Sequence, residues 1–174
     1  MRQFATFRLG DQMFGIDVRI IREINRILDI TPLPFSADYV RGLINLRGQI
    51  VTILDLGLRL GLPRRATGPD SHNIILKRTS ELAASPASHG GVTDTTSEDP
   101  VGLLVDAIGD VVDVEESGIE PLSANVGEAE GHFLSGVVKL DQGLVVLPEI
   151  RRVLDRSQPQ RNSSTKSMET SCAQ

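Results

Sequence analysis

Hydrophobic and polar positions alternate from the first residues of the chain. Ala5, Phe7 and Leu9 are separated by single residues, and Phe14, Ile16 and Val18 repeat the pattern beyond Gly10-Asp11. A period of two places alternate side chains on opposite faces of a strand, and Gly-Asp is a turn signal, so the pattern predicts an opening hairpin. Val18, Ile21 and Arg22 then fall at helical spacing, which predicts a short helix or turn over 18–24. A short strand is predicted over 27–31, stopped by Pro32 and Pro34. Ser36 as an N-cap and Gly42 as a stop predict about two turns of helix between them. Further strands are expected over 48–54, 73–77, 101–106, 110–114, 134–140 and 143–147. The last two are joined by Asp141-Gln142, a good two-residue hairpin loop. One helical turn fits 55–62, and Pro148 opens a short amphipathic helix with Ile150, Val153 and Leu154 on one side.

Nine or ten short strands at close spacing, with three short helices, predict a closed all-β architecture of one or two small barrels. Rossmann-length βαβ units are absent. Residues 79–100 differ in kind: they hold no Lys or Arg, four acids, two Pro and many Ser and Thr. That composition predicts a long mobile insert, while 115–132 reads as loop and the Ser/Thr/Gln-rich stretch 156–174 as a disordered tail.

The 174 residues suffice to bury a core, and Cys172 as the lone cysteine excludes disulfides within the chain. It argues equally against a thiolate zinc site. The net charge of −5, one Tyr and no Trp argue against a nucleic-acid binder. The charge is uneven: residues 1–78 carry twelve basic and seven acidic residues, whereas 79–155 carry three and fifteen. Such a split fits interaction surfaces of opposite sign or an acidic surplus in solvated loops. No apolar run reaches the ~18 residues of a membrane span, and the N-terminus lacks a signal-peptide shape, so a cytoplasmic protein is expected.

Catalytic signatures are missing. Gly57 and Gly61 do not complete a phosphate loop, and His72, His89 and His132 have no ligand spacing. Neither a metal nor a cofactor is expected. Asp55 and Asp106 each end an apolar strand and could form a catalytic carboxylate pair, although such residues more often cap a turn or pair with arginine. Arg41-Gly-Leu-Ile-Asn-Leu-Arg47-Gly48 is less ordinary. Gly42 and Gly48 suggest positive φ or close strand approach, which sets Arg47 at a corner, with Glu23 a candidate mate.

At these residues the chain resembles a known family. FGIDVRIIREI (14–24), ITPLP (30–34), YVRGLINLRGQIVTILDL (39–56), VGLLVDAIGDV (101–111) and LSGVVKLDQGLVVL (134–147) are similar, in order and spacing, to the CheW-like domain. The resemblance implies a mainly β fold of two five-stranded SH3-like β-barrels packed together, with a few short helices. It covers a domain over residues 1–155, interrupted by the insert at 79–100 and followed by the tail.

The family's role implies a non-enzymatic adaptor of chemotaxis signalling. Its partners would be the cytoplasmic tip of methyl-accepting chemoreceptors and the regulatory domain of a CheA-type histidine kinase, with membrane association only through receptors. Matching positions put receptor contacts at Ile21, Glu23, Ile24, Leu46 and Arg47, with Glu23 and Arg47 paired. Kinase contacts fall on outward-facing apolar residues at Ile50, Val51 and Ile53. An adaptor of a pili or biofilm pathway is the alternative in the same fold, and a small β-barrel ligand-binding protein or enzyme using Asp55 and Asp106 the alternative outside it. Thr52 stands where the family usually has proline, Glu149 stands in for a common aspartate, and the insert replaces a short turn.

Overall fold

A computed structural model describes residues 1–84, 96–122 and 133–155 of the chain. The alternating N-terminus forms the hairpin of β1 (Arg2–Leu9) and β2 (Gln12–Asp17). Its register faces Phe7 to Phe14, and their rings stack with centroids 5.9 Å apart. The remaining strands are β3 (Ile21–Asn25), β4 (Val40–Leu46), β5 (Gln49–Asp55), β6 (His72–Leu76), β7 (Val101–Val105), β8 (Ala107–Val114), β9 (Ile119–Glu120), β10 (Leu134–Leu140) and β11 (Gly143–Pro148). Three single-turn helices accompany them: α1 (Leu56–Arg59), α2 (Thr79–Ala83) and α3 (Ile150–Val153).

The fold is mainly β with a few short helices, built on two sheets. One sheet has six strands in the order β8-β1-β2-β11-β10-β9, and the other has five in the order β3-β6-β7-β5-β4. The first therefore carries one strand more than the expected five, and hydrogen bonding closes neither sheet into a barrel among the described residues. Each contains one parallel pairing, β2 with β11 and β5 with β7, which joins segments distant in sequence.

A core of residues from both sheets fills the space between them: Phe7, Leu9, Phe14 and Ile16 from one, Leu54, Ile74, Leu103 and Val105 from the other, and Ile150 and Val153 from α3. The five-stranded sheet is covered on its second face as well, where Ile27, Leu28 and Ile30 from the segment after β3 pack on its own Ile44, Leu46, Val51, Ile53, Ile75 and Leu104. This explains β7, whose sequence VGLLV is buried at every position, since a strand covered on both faces loses the polar half of its alternation.

Several local expectations are corrected. Residues 18–24 give a 3-10 turn at Val18–Ile20, capped by the Asp17 carboxylate, and then β3 in place of a helix. No strand forms over 27–31; only Thr31 pairs, bridging Leu43 on the edge of β4. No helix forms over 36–42 either. Val40 begins β4, and Gly42 uses its conformational freedom at an irregularity in the β4–β5 register, with φ +141. β8 begins at Ala107, three residues before the expected start.

Residues 115–132, expected as loop, hold a 3-10 turn at Glu116–Gly118 and then β9, and 123–132 lie outside the described residues. The start of the insert, expected to be mobile, is structured. The insert opens with α2, and Thr79 N donates to Ser97 O at 3.2 Å, tying its two ends together. Residues 85–95 and the tail from 156 lie outside the described residues.

Candidate partner-binding surface

β4 and β5 are joined by a two-residue turn, with Leu46 opposite Gln49. Arg47 (φ +50) and Gly48 (φ +83) both have positive φ, the signature of a type I′ turn, whose backbone twist matches that of the flanking strands. Glycine occupies such a position freely, but arginine there costs about 1–2 kcal/mol. Gly48 N donates to Asn45 Oδ1 at 2.9 Å, which holds the turn closed.

The turn throws the Arg47 side chain outward, 69% exposed, where its Nη2 donates to Glu23 Oε2 on β3. Asn25 Nδ2 donates to the other Glu23 oxygen at 3.3 Å, and Arg22 Nη1 donates to Gln49 Oε1 at 2.9 Å. Two side-chain pairs thus connect β3 to the β4–β5 turn where no backbone hydrogen bonds do. The Glu23–Arg47 pair that the resemblance implies is present. Being partly exposed, it contributes only about 0–1 kcal/mol, so its geometry matters more than its stability. Partial burial opposes ionisation of Glu23, but the hydrogen bonds from Asn25 and Arg47 and the charges of Arg47 and Arg22 outweigh it and hold the carboxyl below the usual glutamate range. The surface therefore presents a fixed carboxylate and an oriented guanidinium at neutral pH.

The apolar positions expected around this pair separate into two groups. Ile24 is exposed on β3, and Ile50 (57% exposed) stands just past the turn on β5. Ile21 is half-buried and packs on the shared core. Leu46 is buried, supporting the turn from beneath. Val51 and Ile53 are fully buried in the cluster on the second face of the sheet. They are not outward-facing, and of the three apolar positions expected to meet a kinase only Ile50 can touch a partner. The cause is tertiary: with the sheet covered on both faces, the alternation that would turn alternate residues outward turns them into another core.

Asp55 and Asp106 have structural roles. Asp55, 6% exposed, caps α1 by accepting from Leu58 N at 3.0 Å and faces Arg41 Nε at 3.4 Å. Asp106 accepts from Gly10 N at 2.7 Å and from Arg65 Nε. A cleft of about 240 Å³ is lined by residues such as Phe4, Asp17, Ile20, Leu147 and Glu149, and by neither of these aspartates. The catalytic-pair alternative is therefore set aside. Among the described residues no cluster of three His, Cys, Asp or Glu side chains could hold a metal, and no helix is long and apolar enough to cross a membrane.

Residues 3–158 match the CheW-like domain family. The chain belongs to this family. A chemotaxis protein CheW of Rhizobium meliloti (strain 1021) is 32% identical over 152 residues, covering 87% of this chain and 86% of that protein. A chemotaxis protein CheW of Thermotoga maritima is 29% identical, covering 88% and 87%. Protein FrzA of Myxococcus xanthus is 28% identical over 138 residues, 79% of this chain and 74% of that protein. The crystal structure of the scaffolding protein TtCheW from Thermoanaerobacter tengcongensis superposes with a TM-score of 0.73 at 24% identity, covering 92% of both chains, and shows the same fold. This chain is thus a CheW-type scaffold of chemotaxis signalling and not an enzyme.

The FGIDV segment of this CheW-like chain contains a second ionic device that its sequence did not disclose. Asp17, 6% exposed, accepts from Arg2 Nη2 at 2.7 Å, from Arg19 Nη2 at 2.8 Å and from Arg19 N at 2.9 Å. Burial alone would raise its pKa, but the hydrogen bonds from Arg19 and Arg2 and the charge of Arg19 hold it below the usual aspartate range. A depressed folded-state pKa stabilises the fold above the unfolded value, and this contribution disappears as pH falls through the lower folded value. The urea midpoint of the native protein should therefore drop below about pH 4. In Asp17→Asn the drop should be shallower, as a urea titration at a series of pH values would show.

Proposed function

We propose that this chain couples the cytoplasmic tip of methyl-accepting chemoreceptors to the regulatory domain of a CheA-type histidine kinase, and that it works in the cytoplasm. The observation that carries the receptor half of this reading is Arg47. It occupies a costly positive-φ position and is held in one direction by Glu23, the residue before exposed Ile24 on β3. A residue kept at a strained, exposed corner stabilises the fold less than a glycine or asparagine would, so binding is the better account of it. Ile24 supplies apolar area and Arg47 a polar anchor, the combination that concentrates binding energy at protein interfaces. Ile50 extends the apolar surface around the turn and is the residue assigned to the kinase, with Val51 and Ile53 shaping it from behind.

Purified receptor-tip fragments and CheA-type regulatory domains encoded in the same genome test this directly. The protein is expected to bind both in a titration. Arg47→Glu should weaken tip binding at least about tenfold, the loss of an interface anchor, and repel Glu23. Its melting temperature should stay within about 2 °C of the native protein, because the exposed pair contributes little to stability. If the native protein bound neither partner, or if Arg47→Glu bound the tip as tightly as the native protein, the receptor assignment would be lost.

A further inference from the structure

The charged surface does not end at the Glu23–Arg47 pair. Arg22 Nε on β3 lies 4.0 Å from Glu81 Oε1 on α2, and Arg78 Nε lies 3.7 Å from Glu81 Oε2. Arg47, Glu23, Arg22, Glu81 and Arg78 therefore run in alternating sign across the β4–β5 turn, β3 and the insert's helix. α2 is built onto the fold here. Leu82 packs against the core shared by both sheets. Thr96 Oγ1 donates to Lys77 O at 2.5 Å, and Lys77 N donates at 2.9 Å to the carbonyl of Ile20, which immediately precedes β3.

Glu81 is only partly used by these contacts. Its Oε2 accepts from Arg78 N at 2.7 Å. Its Oε1 accepts no hydrogen bond among the described residues, and the side chain is 33% exposed. A carboxylate with one oxygen anchored and the other open to a donor, fixed beside a binding strand, is placed to receive a cation from outside.

We propose that α2 extends the receptor-facing surface and that Glu81 selects the partner. The surface fits a helix that offers an acidic side chain to Arg47 and, on the same face, a basic side chain to Glu81. This rests on the receptor-binding reading above and adds to it a role for the insert that opens at Thr79. Specificity follows from charge alternation: a helix with acids at both places meets Glu81 as a like charge, and a helix with bases at both places meets Arg47 in the same way.

The test uses the full chain and the same receptor-tip fragments, with Glu81→Gln and Glu81→Lys beside Arg47→Glu. Glu81→Gln keeps an oxygen for Arg78 N and removes only the charge, so it serves if Glu81→Lys fails to fold. Glu81→Gln should weaken tip binding about threefold or more, flatten its dependence on salt and leave the melting temperature unchanged, and Glu81→Lys should weaken it further. If both Glu81 variants bound within twofold of the native protein while Arg47→Glu lost binding, the role of α2 would be overturned and the receptor reading would stand. If the native protein bound no tip fragment, both would fall together.

Discussion

Gly42→Ala is expected to cost this protein at least about 3 kcal/mol of stability, lowering the melting temperature by about 10 °C or preventing folding. Two penalties act at once. Gly42 has φ +141, which L side chains rarely adopt, and a Cβ built on its backbone would stand 2.0 Å from Thr31 O and 2.7 Å from Thr31 C. Neither atom can retreat cheaply. Thr31 and Leu43 exchange two backbone hydrogen bonds of 2.8 Å, so moving Thr31 away breaks the bridge that ties the 26–39 connection to the edge of β4. Gly48 provides the control within the same motif. It has φ +83, but a methyl group on its Cα would meet no neighbour within 4 Å, so Gly48→Ala should cost only the backbone strain, about 1–2 kcal/mol. Thermal melts of the two variants side by side check the prediction. A Gly42→Ala protein that melted with the native one would show that the close approach to Thr31 does not constrain the fold.

Arg59→Ala should be comparably destabilising, by about 3–4 kcal/mol. Arg59 is 4% exposed, with its guanidinium carbon 4.4 Å from the ring centre of Tyr39 and 4.8 Å from that of Phe133. Its Nε donates to Val153 O at 3.0 Å, and its Nη2 donates to Asp155 O. These carbonyls lie at the C-terminal end of α3, where helical backbone acceptors have no partner within the helix. One side chain on α1, next to the five-stranded sheet, therefore stacks on the residue preceding β4 and on the residue preceding β10 and hydrogen-bonds to the carbonyls at the end of α3. Alanine would remove both hydrogen bonds and both ring contacts, leaving the Val153 carbonyl buried without this donor. Arg59→Lys keeps the charge but loses the flat fork that bonds and stacks together, so it should recover only part of the loss. Urea midpoints of the three proteins would decide. An Arg59→Ala protein as stable as the native would mean that the α3 end is held by its apolar contacts alone.

How much of this was legible before the fold was known differs from element to element. The opening hairpin was readable because it is local: strict alternation and one turn signal specify both strands. The β10–β11 hairpin was readable for the same reason. The 36–42 segment was misread because Ser36 and Gly42 mimic helix caps over a stretch too short for periodicity to contradict them. Gly42 is in fact needed where β4 passes Thr31, the positive φ and close strand approach that the RGLINLRG run suggests, although no local pattern names Thr31 as the partner. Leu46, Val51 and Ile53 are assigned to partner contacts by the resemblance, and the sequence alone does not correct this, because alternation cannot tell a strand with one solvated face from one covered on both.

Arg22 and Glu81 were missed as a pair for a related reason. Glu81 sits in a segment whose composition predicts mobility, and only Leu82, one residue on, marks the turn that anchors it. Arg59 gave no signal at all, since a lone arginine beside glycines looks the same on the surface as in a core.

By itself the sequence determined the class of the fold, the family and the chemistry of the corner at Arg47 and Gly48, because each is written in a contiguous run: period-two strands, the RGLINLRG segment, and glycines where the backbone must turn. The tertiary structure decided which strands are neighbours, through the parallel pairings of β2 with β11 and β5 with β7. It also decided which apolar residues remain outside and that the start of the insert lies against β3. These depend on closing long loops and covering two sheet faces at once, where the free energy belongs to contacts between distant segments rather than to any local pattern.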